Sequence, residues 1–79
     1  MEVRFFAGAA EAAGADTVVI DAAGLTAADV VARLAEGNER LARVLDVSAL
    51  LADGVRVNGR DADLSQVHSL DVLPPFAGG

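Results

Sequence analysis

Leu50-Leu51-Ala52-Asp53-Gly54-Val55-Arg56-Val57 sets an Asp-Gly pair between two short apolar runs. A two-residue turn that follows the twist of its strands needs φ > 0 at both central positions, and Asp-Gly is one of the few pairs that adopts it readily. The stretch therefore predicts an antiparallel hairpin, the third and fourth strands of a sheet. Toward the C terminus, Asn58-Gly59-Arg60-Asp61 reads as a second turn and Leu64-Ser65-Gln66-Val67 as a short connector. Ser69 to Leu73 follows as a fifth strand, stopped by Pro74-Pro75, which cannot donate to a ladder.

Toward the N terminus the period changes from two to 3.6. Asn38 is placed to cap a short helix in which Leu41, Val44 and Leu45 share a face. Before it, Thr26 with Asp29 three residues later forms a near capping box, Ala27, Val30, Val31 and Leu34 make one apolar stripe, and Gly37 stands where a helix terminates. Arg33 and Glu36 fall outside the stripe. Burying five or six of these aliphatics at roughly 1.5–3 kcal/mol each is the largest stabilising contribution visible in the sequence. Thr17-Val18-Val19-Ile20, between Asp16 and Asp21, reads as a strand antiparallel to a first strand over Met1 to Phe6. Ala7 to Ala15 is rich in Ala and Gly and too short to hold a helix alone, so a loop is expected there. The pattern predicts an α+β fold, a sheet with a helix packed on one face, in a single domain over residues 1–79 with a flexible C-terminal tail at 75–79.

Composition narrows the chemistry. Seventy-nine residues cannot fill two cores. The chain has no Cys and a single His, and its eight Asp and four Glu lack Ca²⁺-loop spacing, so neither disulfide nor metal is expected to support the fold. No apolar run approaches the roughly 20 residues that span a bilayer and no secretory signal opens the chain, so a cytoplasmic protein without membrane attachment is expected. Six Arg against twelve acids give a net charge of −6, which repels a nucleic-acid backbone and favours a basic partner protein.

The inventory for catalysis is empty. The hydroxyls of Thr17, Thr26, Ser48, Ser65 and Ser69 have one candidate base, His68, and neighbours on a strand point to opposite faces, so His68 and Ser69 form no dyad. Asp61 and Asp63 sit in a polar turn with no apolar surround to raise a pKa. No glycine spacing matches a phosphate-cradling loop. The chain by itself is not expected to be an enzyme.

The end of the chain carries the signal instead. In Leu73-Pro74-Pro75-Phe76-Ala77-Gly78-Gly79 two prolines favour a stiff, extended exit, and the residues after Phe76 dwindle to backbone. Four residues reach at most roughly 14 Å, and paired glycines let a partner's active site close around the main chain, with the Gly79 carboxylate as the reacting group. Strand parity adds a surface. If Val3, Phe5, Leu70 and Val72 face the helix, then Phe6, Leu73 and Val55 form an apolar patch on the outer sheet face near the tail, the kind of patch that marks a partner site.

The opening V-R-F-F-A, the L-L-A before the hairpin and the ending D-V-L-P-P-F-A-G-G resemble the MoaD family, the small subunits of molybdopterin synthase within the MoaD/ThiS superfamily of sulfur carriers. That resemblance implies a ubiquitin-like β-grasp fold with a mixed five-stranded sheet. It implies that an E1-like adenylyltransferase using ATP activates Gly79, that a sulfurtransferase or cysteine desulfurase supplies sulfur for a thiocarboxylate, and that the tail inserts into the synthase large subunit. On this basis Gly79 carries the sulfur, Gly78 keeps the tail thin, and Phe76 and Ala77 complete the tail. Phe6, Val55 and Leu73, with Pro74 and Pro75, meet the partner, and no cofactor is bound by the chain itself. Carriers with similar tails serve cysteine, thiamin and natural-product biosynthesis, and ubiquitin-like modifiers also end in Gly-Gly.

Overall fold

The computed structural model describes residues 1–75. In chain order the elements are β1 (Glu2–Phe5), α1 (Gly8–Ala13), β2 (Thr17–Val19), α2 (Ala27–Ala35), α3 (Glu39–Val47), β3 (Ala49–Ala52), β4 (Val55–Arg56) and β5 (Ser69–Leu73). The five strands form one mixed sheet in the order β2-β1-β5-β3-β4. β1 and β5 run parallel at its centre, and the other neighbouring pairs are antiparallel.

The hairpin forms for the reason its sequence gives: Asp53 and Gly54 take φ of 48° and 82°, positive at both turn positions. The Asp53 side chain does more than permit the turn. Its carboxylate accepts hydrogen bonds from the backbone amides of His68, at 3.2 Å, and Ser69, at 2.9 Å, fastening the hairpin to the start of β5.

Both predicted helices carry their predicted caps. Thr26 Oγ1 accepts from the Asp29 amide at 3.2 Å while Asp29 Oδ2 accepts from the Thr26 amide at 3.0 Å, a reciprocal box. Asn38 Oδ1 accepts from the Leu41 amide at 3.0 Å, and Gly37 leaves α2 at φ 70°. The apolar faces of α2 and α3 close over one side of the sheet. There Val30, Leu41 and Leu45 meet Val3, Phe5, Leu50, Leu70 and Val72 in a single buried cluster.

The segment after β1 departs from expectation. Residues 8–13 form a helix, not a loop. Six residues cannot support a helix in isolation, but Ala9 and Ala12 are buried in the core cluster, and Asn38 Nδ2 donates to the Ala12 carbonyl at 2.9 Å. Gly14, in the left-handed region at φ 73°, ends the helix by donating to the Ala10 carbonyl. Tertiary packing supplies what length does not.

Candidate functional site

Register decides which side chains surround the base of the tail. On β1, Val3 and Phe5 are buried beneath the helices, which turns Glu2, Arg4 and Phe6 to the open face. On β5, Leu70 and Val72 are fully buried, which turns Asp71 and Leu73 outward. Val72 pairs with Phe5, and the Phe6 amide donates to the Val72 carbonyl at 3.2 Å, so Phe6 and Leu73 lie side by side. Across β3, Leu73 pairs with Ala49. The row nearest the chain's exit from the sheet is thus Phe6, Leu73, Ala49, all small or apolar. Phe6 is 39% exposed, Leu73 and Pro74 are half-buried, and Pro75 is exposed.

Val55 does not join this row. It pairs with Ala52, which in turn pairs with Leu70, so Val55 has the parity of the helix-side face and sits on the edge strand, 70% exposed, at the hairpin tip. The expectation that it shares the outer patch is corrected by a count along the ladder: the two-residue turn fixes which residues of β3 and β4 oppose one another, and Arg56 is the β4 residue that faces outward, opposite Leu51.

One row further from the tail lies a feature that the sequence reading passed over. Arg4 pairs with Asp71 across the central parallel ladder, and the two side chains form a bidentate ion pair, Nε to Oδ1 at 2.6 Å and Nη2 to Oδ2 at 2.8 Å. The hydrogen bonds that Arg4 donates to the Asp71 carboxylate, reinforced by its negative charge, hold the guanidinium even more firmly protonated than usual. The same guanidinium lies 5.9 Å from the centre of the Phe6 ring, within the range of a cation–π contact. The row reads Thr17, Arg4, Asp71, Leu51, Arg56. A signal for it was present, since Arg4 and Asp71 stand two residues before Phe6 and Leu73 and so share their parity. The outer face is therefore an apolar rim beside a charged band, not a continuous apolar patch.

Beside Phe6 an open groove of about 410 Å³ runs between Ala7, Ala10, Asp16 and Thr17. Ala7 bounds it at φ 50°, a left-handed conformation that a residue with a Cβ rarely takes, and that turns the chain sharply from β1 into α1. His68, 93% exposed, has Nδ1 3.8 Å from Asp53 Oδ2. The amide of His68, then that of Ser69, holds the Asp53 carboxyl below its ordinary 3.8. Asp63 is likewise lowered, first by the Ser65 hydroxyl and then by the Ser65 amide. Among the described residues no three His, Asp or Glu side chains converge as metal ligands, and no helix is long and apolar enough to cross a membrane. Phe76, Ala77, Gly78 and Gly79 lie outside the described residues.

Comparison with solved structures places this architecture among ubiquitin-like β-grasp proteins. The chain is similar to SAMP1 from Haloferax volcanii, at 28% identity and a TM-score of 0.75 over 99% of this chain and 97% of that one. It is similar to the Haloferax volcanii HVO 2177 protein at 31% identity, with a TM-score of 0.72 and coverage of 99% and 84%. It shares its fold with small archaeal modifier protein 1 from Methanosarcina acetivorans, at 22% identity and a TM-score of 0.77, covering 99% and 94% of the two chains. No curated protein sequence matches the chain. The ThiS family profile matches residues 3–79, a span that includes the body, the Phe6 and Leu73 rim and the Gly-Gly ending, and the chain belongs to the ThiS family.

Proposed function

We propose that this protein is a sulfur carrier whose working part is its Gly-Gly end, activated and read by other proteins. The observation that carries the reading is the Phe6, Leu73, Ala49 row: an apolar rim lies where the strand bearing the tail leaves the sheet, on a body whose sequence offers no activated nucleophile. A carboxylate does not exchange oxygen for sulfur unaided. In the proposed cycle a Gly79 carboxylate oxygen attacks the α-phosphorus of ATP on an E1-like enzyme and pyrophosphate departs. The terminal sulfur of a cysteine persulfide held by a sulfurtransferase or cysteine desulfurase then attacks the acyl carbon and expels AMP, leaving an acyl disulfide. A thiol attacks the donor's cysteine sulfur, the S–S bond breaks, the Gly79 thiocarboxylate departs with the electron pair, and the thiol ends as a disulfide with that cysteine. The carrier contributes position and no catalytic side chain. The acceptor that best fits the D-V-L-P-P-F-A-G-G ending is the large subunit of molybdopterin synthase, in molybdenum cofactor biosynthesis.

A second reading is favoured by the likeness to proteins described as small archaeal modifiers: the activated tail forms isopeptide bonds with lysines of other proteins. Having no Lys, the chain offers no side-chain amine to copies of itself. One experiment separates the two. Co-expression with an E1-like enzyme and a sulfur source should replace one C-terminal oxygen by sulfur, read by intact mass. Lysates that instead hold covalent adducts of the unsulfurated chain favour the modifier, and neither product overturns both.

A further inference from the structure

Two dipeptides place glycine after a side chain that its own backbone can attack: Asp53-Gly54 in the hairpin and Asn58-Gly59 in the following turn. Without a Cβ, the glycine amide nitrogen can approach the preceding γ-carbon and close a five-membered imide. The fold treats the two sites in opposite ways. The Asp53 carboxylate accepts from the His68 and Ser69 amides, so its γ-carbon is held toward β5 and its charge is favoured. An ionised carboxylate is a poor target for an amide nitrogen.

The Asn58 side chain has no comparable anchor among the described residues. The β3–β4 ladder ends with the Val57 amide, which donates to the Leu50 carbonyl at 2.9 Å. Asn58 and Gly59 are exposed, and among the described residues the Asn58 side-chain amide has no hydrogen-bond partner. Gly59 sits at φ 92°, with only Asp61 Oδ1 close to where a Cβ would stand, at 3.1 Å.

We propose that Asn58 is a self-modification site, at which the folded chain deamidates through attack by its own Gly59 nitrogen. The Gly59 nitrogen forms a bond to Asn58 Cγ, the bond from Cγ to the side-chain nitrogen breaks, and ammonia leaves with the proton released from Gly59. Water then adds to either imide carbonyl and opens the ring to aspartate or isoaspartate. No electrons are transferred, and water is the only co-reactant.

The position gives the reaction its reach. The Arg60 carbonyl accepts from the Ala28 amide at 2.8 Å and the Ala62 carbonyl from the Ala27 amide at 2.9 Å, so this turn satisfies the first amides of α2. Arg60 Nη2 also donates to the Leu45 carbonyl at 3.4 Å, at the end of α3. Since Leu73 pairs with Ala49 and Val57 bonds to Leu50, residue 58 lies at the same end of the sheet as the tail base. Isoaspartate adds one carbon to the backbone just before those ties, and either product puts a new negative charge next to a segment that already holds Asp61 and Asp63.

The test needs neither partner nor activity, so it stands apart from the carrier reading. The purified full chain is held in slightly alkaline buffer made with heavy-oxygen water, folded or in urea, and mapped by peptide mass spectrometry. Residue 58 should take up label in the folded chain. Residue 53 should label at least about tenfold more slowly than in urea, the suppression expected when a charge-assisted hydrogen bond must first break. Asn58→Gln should melt as the unmodified protein does and lose the label at 58. Label at 58 appearing only in urea, or equal labelling of 53 and 58 in the folded chain, overturns the proposal.

Discussion

Val72 and Leu73 are consecutive residues on one strand, close in size and alike in hydropathy, yet they belong to different parts of the molecule. Val72 is fully buried between β1 and β3 under the helical layer; Leu73 is half-exposed next to Phe6 on the open face, where the chain leaves the sheet. The side chain's identity does not separate them. Position in the pleat does, because a strand alternates its faces with a period of two, and an even number of residues from a buried neighbour fixes burial more surely than hydropathy. The same count assigns Asp71 to the open face with Arg4 and removes Val55 from it.

The most severe way to break the comparison is Val72→Arg. An unpaired charge in the core should exceed the roughly 3–5 kcal/mol of net stability that a domain of this size possesses, so the variant should be unfolded by circular dichroism at room temperature. Leu73→Arg should instead keep the native spectrum and a melting temperature near that of the parent. Its capture by the activating enzyme should fall by about thirtyfold, equivalent to about 2 kcal/mol for an apolar anchor near an interface centre. An unfolded Leu73→Arg beside a folded Val72→Arg would show that the parity of β5 is reversed.

The helical layer can also be loosened without touching the sheet. Thr26→Ala removes the acceptor for the Asp29 amide and should cost about 1 kcal/mol, seen as a drop in melting temperature of about 4–8 °C in a domain this small. The mildest test uses acid. Asp29, lowered chiefly by the Thr26 amide and then its hydroxyl, and Asp53, lowered chiefly by the His68 amide, both bind protons less readily folded than unfolded. Their contribution is complete above the ordinary value of 3.8 and is lost as pH falls through the depressed folded values. Asp53→Asn should therefore lower the neutral plateau slightly, since it removes that contribution, and flatten the acid limb below about pH 4, where the parent has already lost it.

What the sequence made legible follows from how local each signal is. The Asp53-Gly54 turn, the Thr26 and Asn38 caps and the alternation in β1 and β5 are written within a few residues, and the structure contains them all. α1 was not legible because its cause lies elsewhere: the burial of Ala9 and Ala12 and the Asn38 side chain that reaches Ala12 from 26 residues away. Val55 was misplaced for a related reason. Its face depends on register across the hairpin, and Arg56 takes the outward position. For Arg4 and Asp71, parity places both on the open face, but their pairing needs strands from the two ends of the described chain to lie in parallel, which no local pattern announces.

That parallel pairing also bears on when the protein becomes itself. The Arg4 and Asp71 contact spans 67 residues, and β5 lies between β1 and β3, so the sheet has no centre until its last strand is inserted. Contacts this distant in sequence must close a long loop before they return any free energy, which makes their formation late and cooperative. The strand that finishes the sheet is the one from which the tail departs. A growing or damaged chain that has not seated β5 does not bring Phe6 and Leu73 together, so under the proposed carrier role completion of folding would precede recognition by any partner.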